Sequence, residues 1–267
     1  MFSDQYTVIL VEPQNPINLG TVIRAMKNMG VGHLSLVNPA EMDWEKTQIS
    51  AHKTREYLET METFGSLDEA LSGFQESYGF SARQRTQSWA SAPVEEAVGR
   101  SIGIASGGGR IAFVFGREQT GLTNDELERC TFRVHIPTSD YTSLNLSQAV
   151  LIALHELFRQ IHEVRDGSAP IRSIIDNYAP GSRPATLDEQ RRLLKHAADT
   201  LVEIGYFKSE APNMAVHRLQ NILTRAQLHD DEIHLLMGIC SEVGNYARLI
   251  RRGIEPSRCR PRNSLLD

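Results

Sequence analysis

The chain has little cysteine, no surplus of positive charge and no long apolar run, and each shortage narrows what it can be. Cys130, Cys240 and Cys259 are the only cysteines among 267 residues. They are scattered, odd in number and match no zinc spacing, which argues against a disulfide framework and a zinc module. Buried filler suits them better than catalysis. The formal net charge is −5, so any nucleic-acid partner must be met by locally concentrated positive charge. No apolar run approaches the ~20 residues that span a bilayer, so no membrane association is expected. The opening MFSDQYTVILVE lacks the basic start, apolar stretch and cleavage site of an export signal, and a cytoplasmic location is expected. Phosphate-cradling fingerprints are also missing: no G-x-G-x-x-G follows Phe115 and no Gly-Lys-Ser/Thr occurs. His52, His155 and His162 lie on predicted helices without carboxylate or cysteine companions, so no metal site is expected.

What remains is the composition of an ordinary globular protein, 40% hydrophobic and 23% charged. Thr7–Val11 is predicted as a buried strand and Thr21–Met29 as a helix ending at Gly30, with Pro13 and Pro16 delaying the helix start. Leu34–Val37 is the next strand, and the three make a strand–helix–strand unit of a parallel sheet. Further strands are predicted at Glu76–Phe80, Ile111–Phe115 and Phe132–Ile136. Helices are predicted at Glu45–Arg55, Leu67–Phe74 (capped by Ser66), Pro93–Ala105 and Leu146–Ile161. Thr123 and Glu126 form a capping box for a short helix through Arg129. The composition turns rich in Gly, Pro and Ser at Asp166–Pro184 and then purely helical, over Leu187–Gly205, Met214–Gln227 and Asp230–Arg252. The last of these is expected to be capped by Asp230 or Asp231. Expected divisions are an α/β domain over 1–165, a linker over 166–184, a small all-helical domain over 185–254 and a basic tail over 255–267.

Residues 110–150 hold most of the chemistry. An apolar strand and a second strand there end in loops of glycine, serine or threonine, each leading into a helix. Gly116 and Gly121 allow the backbone to approach a flat or bulky ligand. Arg117 and Glu118 read either as a catalytic pair or as a local ion pair. Thr142-Ser143-Leu144-Asn145 can cap the following helix, or hold the polar end of a ligand at the strand terminus, where open α/β sheets bind ligands. The earlier turn Pro16-x-Asn18-x-Gly20, with Arg24 in the helix behind it, suits an anion as well as it suits a plain turn.

Three segments, taken in order, resemble the motifs of SPOUT-class RNA ribose 2′-O-methyltransferases. They are Pro16-Ile17-Asn18-Leu19-Gly20-x-x-x-Arg24-Ala25-Met26-Lys27-Asn28-Met29-Gly30, then Val114-Phe115-Gly116-Arg117-Glu118-x-x-Gly121-Leu122, then Ile136-Pro137 with Ser143-Leu144-Asn145-Leu146-Ser147-x-Ala149-Val150. The segment from Leu187 to Arg252, with Ile204-Gly205-Tyr206-Phe207 and Arg218-Leu219-x-x-Ile222-Leu223-x-Arg225-Ala226, is similar to the helical extension of the TrmJ type. That resemblance implies an α/β parallel sheet with a C-terminal trefoil knot, acting as a homodimer. It implies S-adenosylmethionine as methyl donor, tRNA as substrate and the ribose at position 32 of the anticodon loop as target. It also implies cofactor contacts at Ser81, Ala82, Arg83, Gly116, Ile136, Thr142, Ser143 and Leu144, with Arg24 as the catalytic residue. The alternatives are the same chemistry on ribosomal RNA and an RNA-binding protein without catalysis. DNA is not an expected partner. Arg248, Arg251, Arg252, Arg258, Arg260 and Arg262 crowd the C-terminus. They are either a solvated helix end with a frayed tail or, in a tRNA enzyme, a phosphate-binding patch.

Overall fold

The computed structural model describes residues 2–41, 43–52, 54–82, 91–168, 182–207 and 212–253. The chain divides into two compact units, Met1–Asp188 and Glu189–Asp267. The first is a seven-stranded sheet: β1 Tyr6–Val11, β2 His33–Val37, β3 Glu62–Phe64, β4 Glu76–Phe80, β5 Ser91–Pro93, β6 Ile111–Phe115 and β7 Phe132–His135. Its order is β3-β2-β1-β6-β4-β7-β5, and every pairing is parallel.

Alternate residues of the central strands serve two cores, as a pleated strand buried on both faces requires. Tyr6, Val8 and Leu10 of β1, with Ile111, Phe113 and Phe115 of β6, enter the larger one. Ile9, Val11, Ala112 and Val114 enter the smaller one on the opposite face. The larger core is closed by α1 Pro16–Met29, α5 Val94–Ser106 and α7 Leu146–Arg165, the smaller by α4 Leu67–Leu71 and α6 Asn124–Arg129. Aromatic rings tie the larger core together: Phe113 meets Tyr6, Tyr78 and Phe80 edge-on at 5.4–5.8 Å. At its far end, buried Glu76 pairs with Arg100 at 2.7 Å and accepts the Tyr78 hydroxyl. Burial and the Glu76 carboxylate raise the Tyr78 pKa well above its usual value.

Several elements depart from expectation. α1 begins at Pro16, five residues early, because Asn15 caps it and accepts the Ile17 N–H at 2.9 Å. Proline at the first helical position loses no bond, so Pro16 starts this helix instead of delaying it. The helix expected over Glu45–Arg55 is two: α2 Trp44–Ala51 and α3 Arg55–Thr60. They are separated at His52, whose φ of 24° cannot continue a helix. The two edge strands, β3 and β5, were not expected. Gly20 brings α1 onto α2, since a Cβ there would lie 2.6 Å from the Thr47 carbonyl oxygen.

The second unit is helical: it holds α8 (Leu187–Glu203) from Glu189 onward, α9 Pro212–Ala226 and α10 Asp230–Arg251. α10 is capped by His229 rather than by an aspartate, and the His229 N–H donates to Glu232 at 2.9 Å.

Candidate active site

A cavity of about 320 Å³ opens beyond the C-terminal ends of β4, β6 and β7, where parallel sheets expose unpaired backbone groups to ligands. Ser81 and Ala82 continue β4, Gly116 continues β6, Ile136 continues β7, and Thr142, Ser143 and Leu144 precede α7; all seven line this one cavity. Arg83 lies outside the described residues. Phe80 and Phe115 also line it, and their rings stack at 4.3 Å. Sequence reasoning did not single out this aromatic pair, although both residues stand at the C-terminal ends of predicted strands.

Gly116 is required by space. A Cβ there would sit 2.2 Å from the Gly121 carbonyl carbon and 2.3 Å from the Leu122 nitrogen. The loop between them closes on itself: the Gly121 N–H donates to the Arg117 carbonyl at 2.9 Å, and Gly121 takes φ 68°, a glycine conformation.

Arg117 and Glu118, read as a possible pair, point to different partners. Arg117 bonds Glu126 at 2.9 Å and Glu12 at 2.7 Å. It thereby ties the cavity loop to α6 and to the end of β1, where Glu12 is held at φ 47°. The bonds from Glu12, then Glu126, raise the Arg117 pKa, so it stays a cation. Burial pushes the Glu126 carboxyl up, but its bonds to Arg117 and Thr123 outweigh this and hold it below the usual carboxylate range. Thr123 and Glu126 do form the expected capping box.

Glu118 accepts the backbone N–H of Asn15 at 2.9 Å and of Gln14 at 3.2 Å, and the Asn18 amide at 3.3 Å. The Asn18 side-chain oxygen in turn accepts the Asn145 amide at 3.1 Å. The Asn145 oxygen caps α7 by accepting the Ser147 N–H at 2.9 Å. One chain of hydrogen bonds therefore joins all three motifs, and a carboxylate among backbone donors makes the strong, charge-assisted kind. Arg24 stands apart: it is exposed on α1, outside the cavity lining, and has no hydrogen-bond or ion-pair partner among the described residues. Among the described residues no cluster of His, Cys, Asp or Glu could hold a metal ion, and no helix is long and apolar enough to cross a membrane.

A parallel sheet flanked by helices, with a cavity at its strand ends walled by two motif loops, is the architecture of a known class. The pattern of the SpoU rRNA Methylase family matches residues 5–155, and the chain belongs to that family. A second pattern, the C-terminal domain of tRNA methyltransferase TrmJ, matches residues 188–253. The TrmJ of Pseudomonas aeruginosa, a tRNA (cytidine/uridine/adenosine-2′-O-)-methyltransferase, is 32% identical over 92% of this chain and 96% of its own length. The tRNA (cytidine/uridine-2′-O-)-methyltransferase TrmJ of Yersinia enterocolitica is 33% identical over 96% and 98%. The crystal structure of TrmJ from Z. mobilis ZM4 shares the fold, with a TM-score of 0.69, 24% identity and coverage of 89% of this chain and 98% of that one.

Proposed function

We propose that this protein is a tRNA 2′-O-methyltransferase that uses S-adenosylmethionine to methylate the ribose at position 32 of the anticodon loop, in the cytoplasm. The observation that supports this most is the convergence of Ser81, Ala82, Gly116, Ile136, Thr142, Ser143 and Leu144 on one cavity. The cavity suits the cofactor by its chemistry: a flat aromatic pair, an apolar wall at Ile136 and Leu144, and close backbone at Gly116. Arg83 completes the proposed set. The C-terminal TrmJ domain and the relatives of similar length favour tRNA over ribosomal RNA. In this reading residues 1–165 are the catalytic domain with a trefoil knot at its C-terminal part, 166–184 a linker, 185–254 a helical extension and 255–267 a basic tail.

When bound, the sulfonium cofactor supplies an already activated methyl group. The protein has to orient the ribose 2′-OH in line with that methyl and ease the loss of its proton. Arg24 is the group assigned to the ribose. A guanidinium is a poor base, so its part is to hold the adjacent phosphate and stabilise the developing alkoxide. Because Arg24 lies outside the cavity lining, a homodimer in which a second copy's Arg24 faces the cavity accounts best for the assignment. Leu151, Ile152 and Phe158, all exposed on α7, offer an apolar face for that pairing.

Arg24→Ala should leave S-adenosylmethionine affinity, measured by calorimetry, within a few-fold, while single-turnover methyl transfer falls by ~10²-fold or more. Near-normal turnover in this variant would remove Arg24 from the mechanism.

A further inference from the structure

Ile233 and Gly244, the buried residues of α10, face the interior of the helical unit. A second apolar row runs along another side of the same helix. Leu235, Ile239, Val243, Tyr246 and Ile250 are 65, 51, 40, 55 and 54% exposed. Steps of four, four, three and four residues keep them within about 80° of the helix circumference and spread them over ~22 Å. Beside the second half of the row lies a groove of about 940 Å³, bordered by Ile204 and Glu203 at the end of α8 and by Glu242 on α10. Among the described residues, the unit's packing therefore leaves this row largely exposed.

We propose that the row is an interface with a second copy of this chain, in which α10 packs antiparallel on α10 about a two-fold axis near Val243. The area is sufficient. The five side chains and Ile204 offer roughly 600 Å² on each copy, and a standard interface contributes ~800 Å² per partner, of which about 60% is apolar. The row therefore supplies the apolar share, and Glu203, Glu242 and Asn245 at the groove supply a polar rim. The row is also self-complementary, as a two-fold interface demands. Read from either end its steps are nearly the same, so the axis sets Leu235 opposite Ile250 and Ile239 opposite Tyr246. Charge selects the direction. The first turn of α10 holds Asp230, Asp231 and Glu232, and the last turn holds Arg248 and Arg251. Antiparallel packing brings unlike ends and opposed helix dipoles together, whereas parallel packing brings like ends together. The inference rests on the homodimer reading in one respect: catalytic units that pair also tether two α10 helices in one particle. Tethering raises their effective concentration toward the mM range, at which a modest interface is filled.

The test uses the full chain with Cys240→Ser and Cys259→Ser, leaving only buried Cys130. Val243→Cys is added to this background and treated with a short bis-maleimide. His234→Cys, an exposed position on the far side of α10, is the control. Most Val243→Cys chains should run at twice the chain mass, with little product from His234→Cys. Adding Tyr246→Asp should cut the cross-linked fraction by about tenfold, because a carboxylate would be buried without a partner. Equal cross-linking at both positions, or cross-linking untouched by Tyr246→Asp, overturns the proposal. So does absence of cross-linking, which is the outcome if the row packs on another surface of its own chain. Sedimentation of the same samples separates the two readings. A dimeric chain without the cross-link sinks the α10 pairing alone; a monomeric one sinks the homodimer as well.

Discussion

Gly116 is where a single hydrogen atom decides whether the cavity exists. A methyl at this position meets Gly121 and Leu122 backbone at 2.2–2.3 Å, and backbone cannot rotate away as a side chain can. Gly116→Ala should therefore push the 117–121 loop outward, lower stability by ~1–3 kcal/mol as overpacking does, and abolish measurable S-adenosylmethionine binding. Calorimetry on the folded variant checks this, and unchanged affinity would show that the loop does not wall the cofactor. Much of the candidate cavity's lining was legible at this scale, because Gly116 and Ser143 stand in motif positions. The roles of Asn18 and Glu118 were not. Local sequence offered Glu118 its neighbour Arg117. The fold instead gives it the Asn15 and Gln14 N–H groups a hundred residues upstream, and turns Arg117 toward Glu12 and Glu126. No pattern of spacing reports a bond that only the sheet order β1-β6 creates.

At the scale of elements, α6 acts through its cap. Glu126 closes the Thr123 capping box and anchors Arg117, and Arg117 anchors the cavity loop. Its carboxyl titrates below the ordinary glutamate value of 4.5. A depressed acid contributes stability that is full above its unfolded pKa and lost as pH falls through its folded one. The melting-temperature gap between the natural chain and Glu126→Gln should thus be widest near neutrality and close as the pH drops below 4.5. A gap that is constant with pH would mean the carboxylate charge is not what holds the clamp. Strands β1, β2 and β6 were readable because burial on both faces demands mostly apolar residues of them, while β4 and β7 keep only an alternating apolar face, Tyr78 and Phe80 in one and Phe132 and Val134 in the other. Glu62-Thr63-Phe64 and Ser91-Ala92-Pro93 have no such pattern: they are three-residue edges, paired only because β2 and β7 present free backbone beside them. The start of α1 was misplaced for a related reason, since Pro16 breaks a helix anywhere but at its first turn.

For the whole molecule, a net charge of −5 has to be reconciled with a polyanionic substrate. The excess of arginine at the C-terminus offers one means. A chain truncated after Gly253 should bind tRNA more weakly and with a shallower dependence of log affinity on log salt, by about one unit for each phosphate that the tail neutralises. Its S-adenosylmethionine affinity should be unchanged. Equal tRNA affinity at several salt concentrations would return the tail to a solvated end.

The most direct trial of the account is chemical. Purified protein is incubated with bulk tRNA and methyl-labelled S-adenosylmethionine, and the product is digested and mapped by mass spectrometry. One labelled site is expected, a ribose 2′-O-methyl group at position 32, with the base found there defining the nucleoside range. Label on a base, on a ribose elsewhere, or nowhere in tRNA would contradict it.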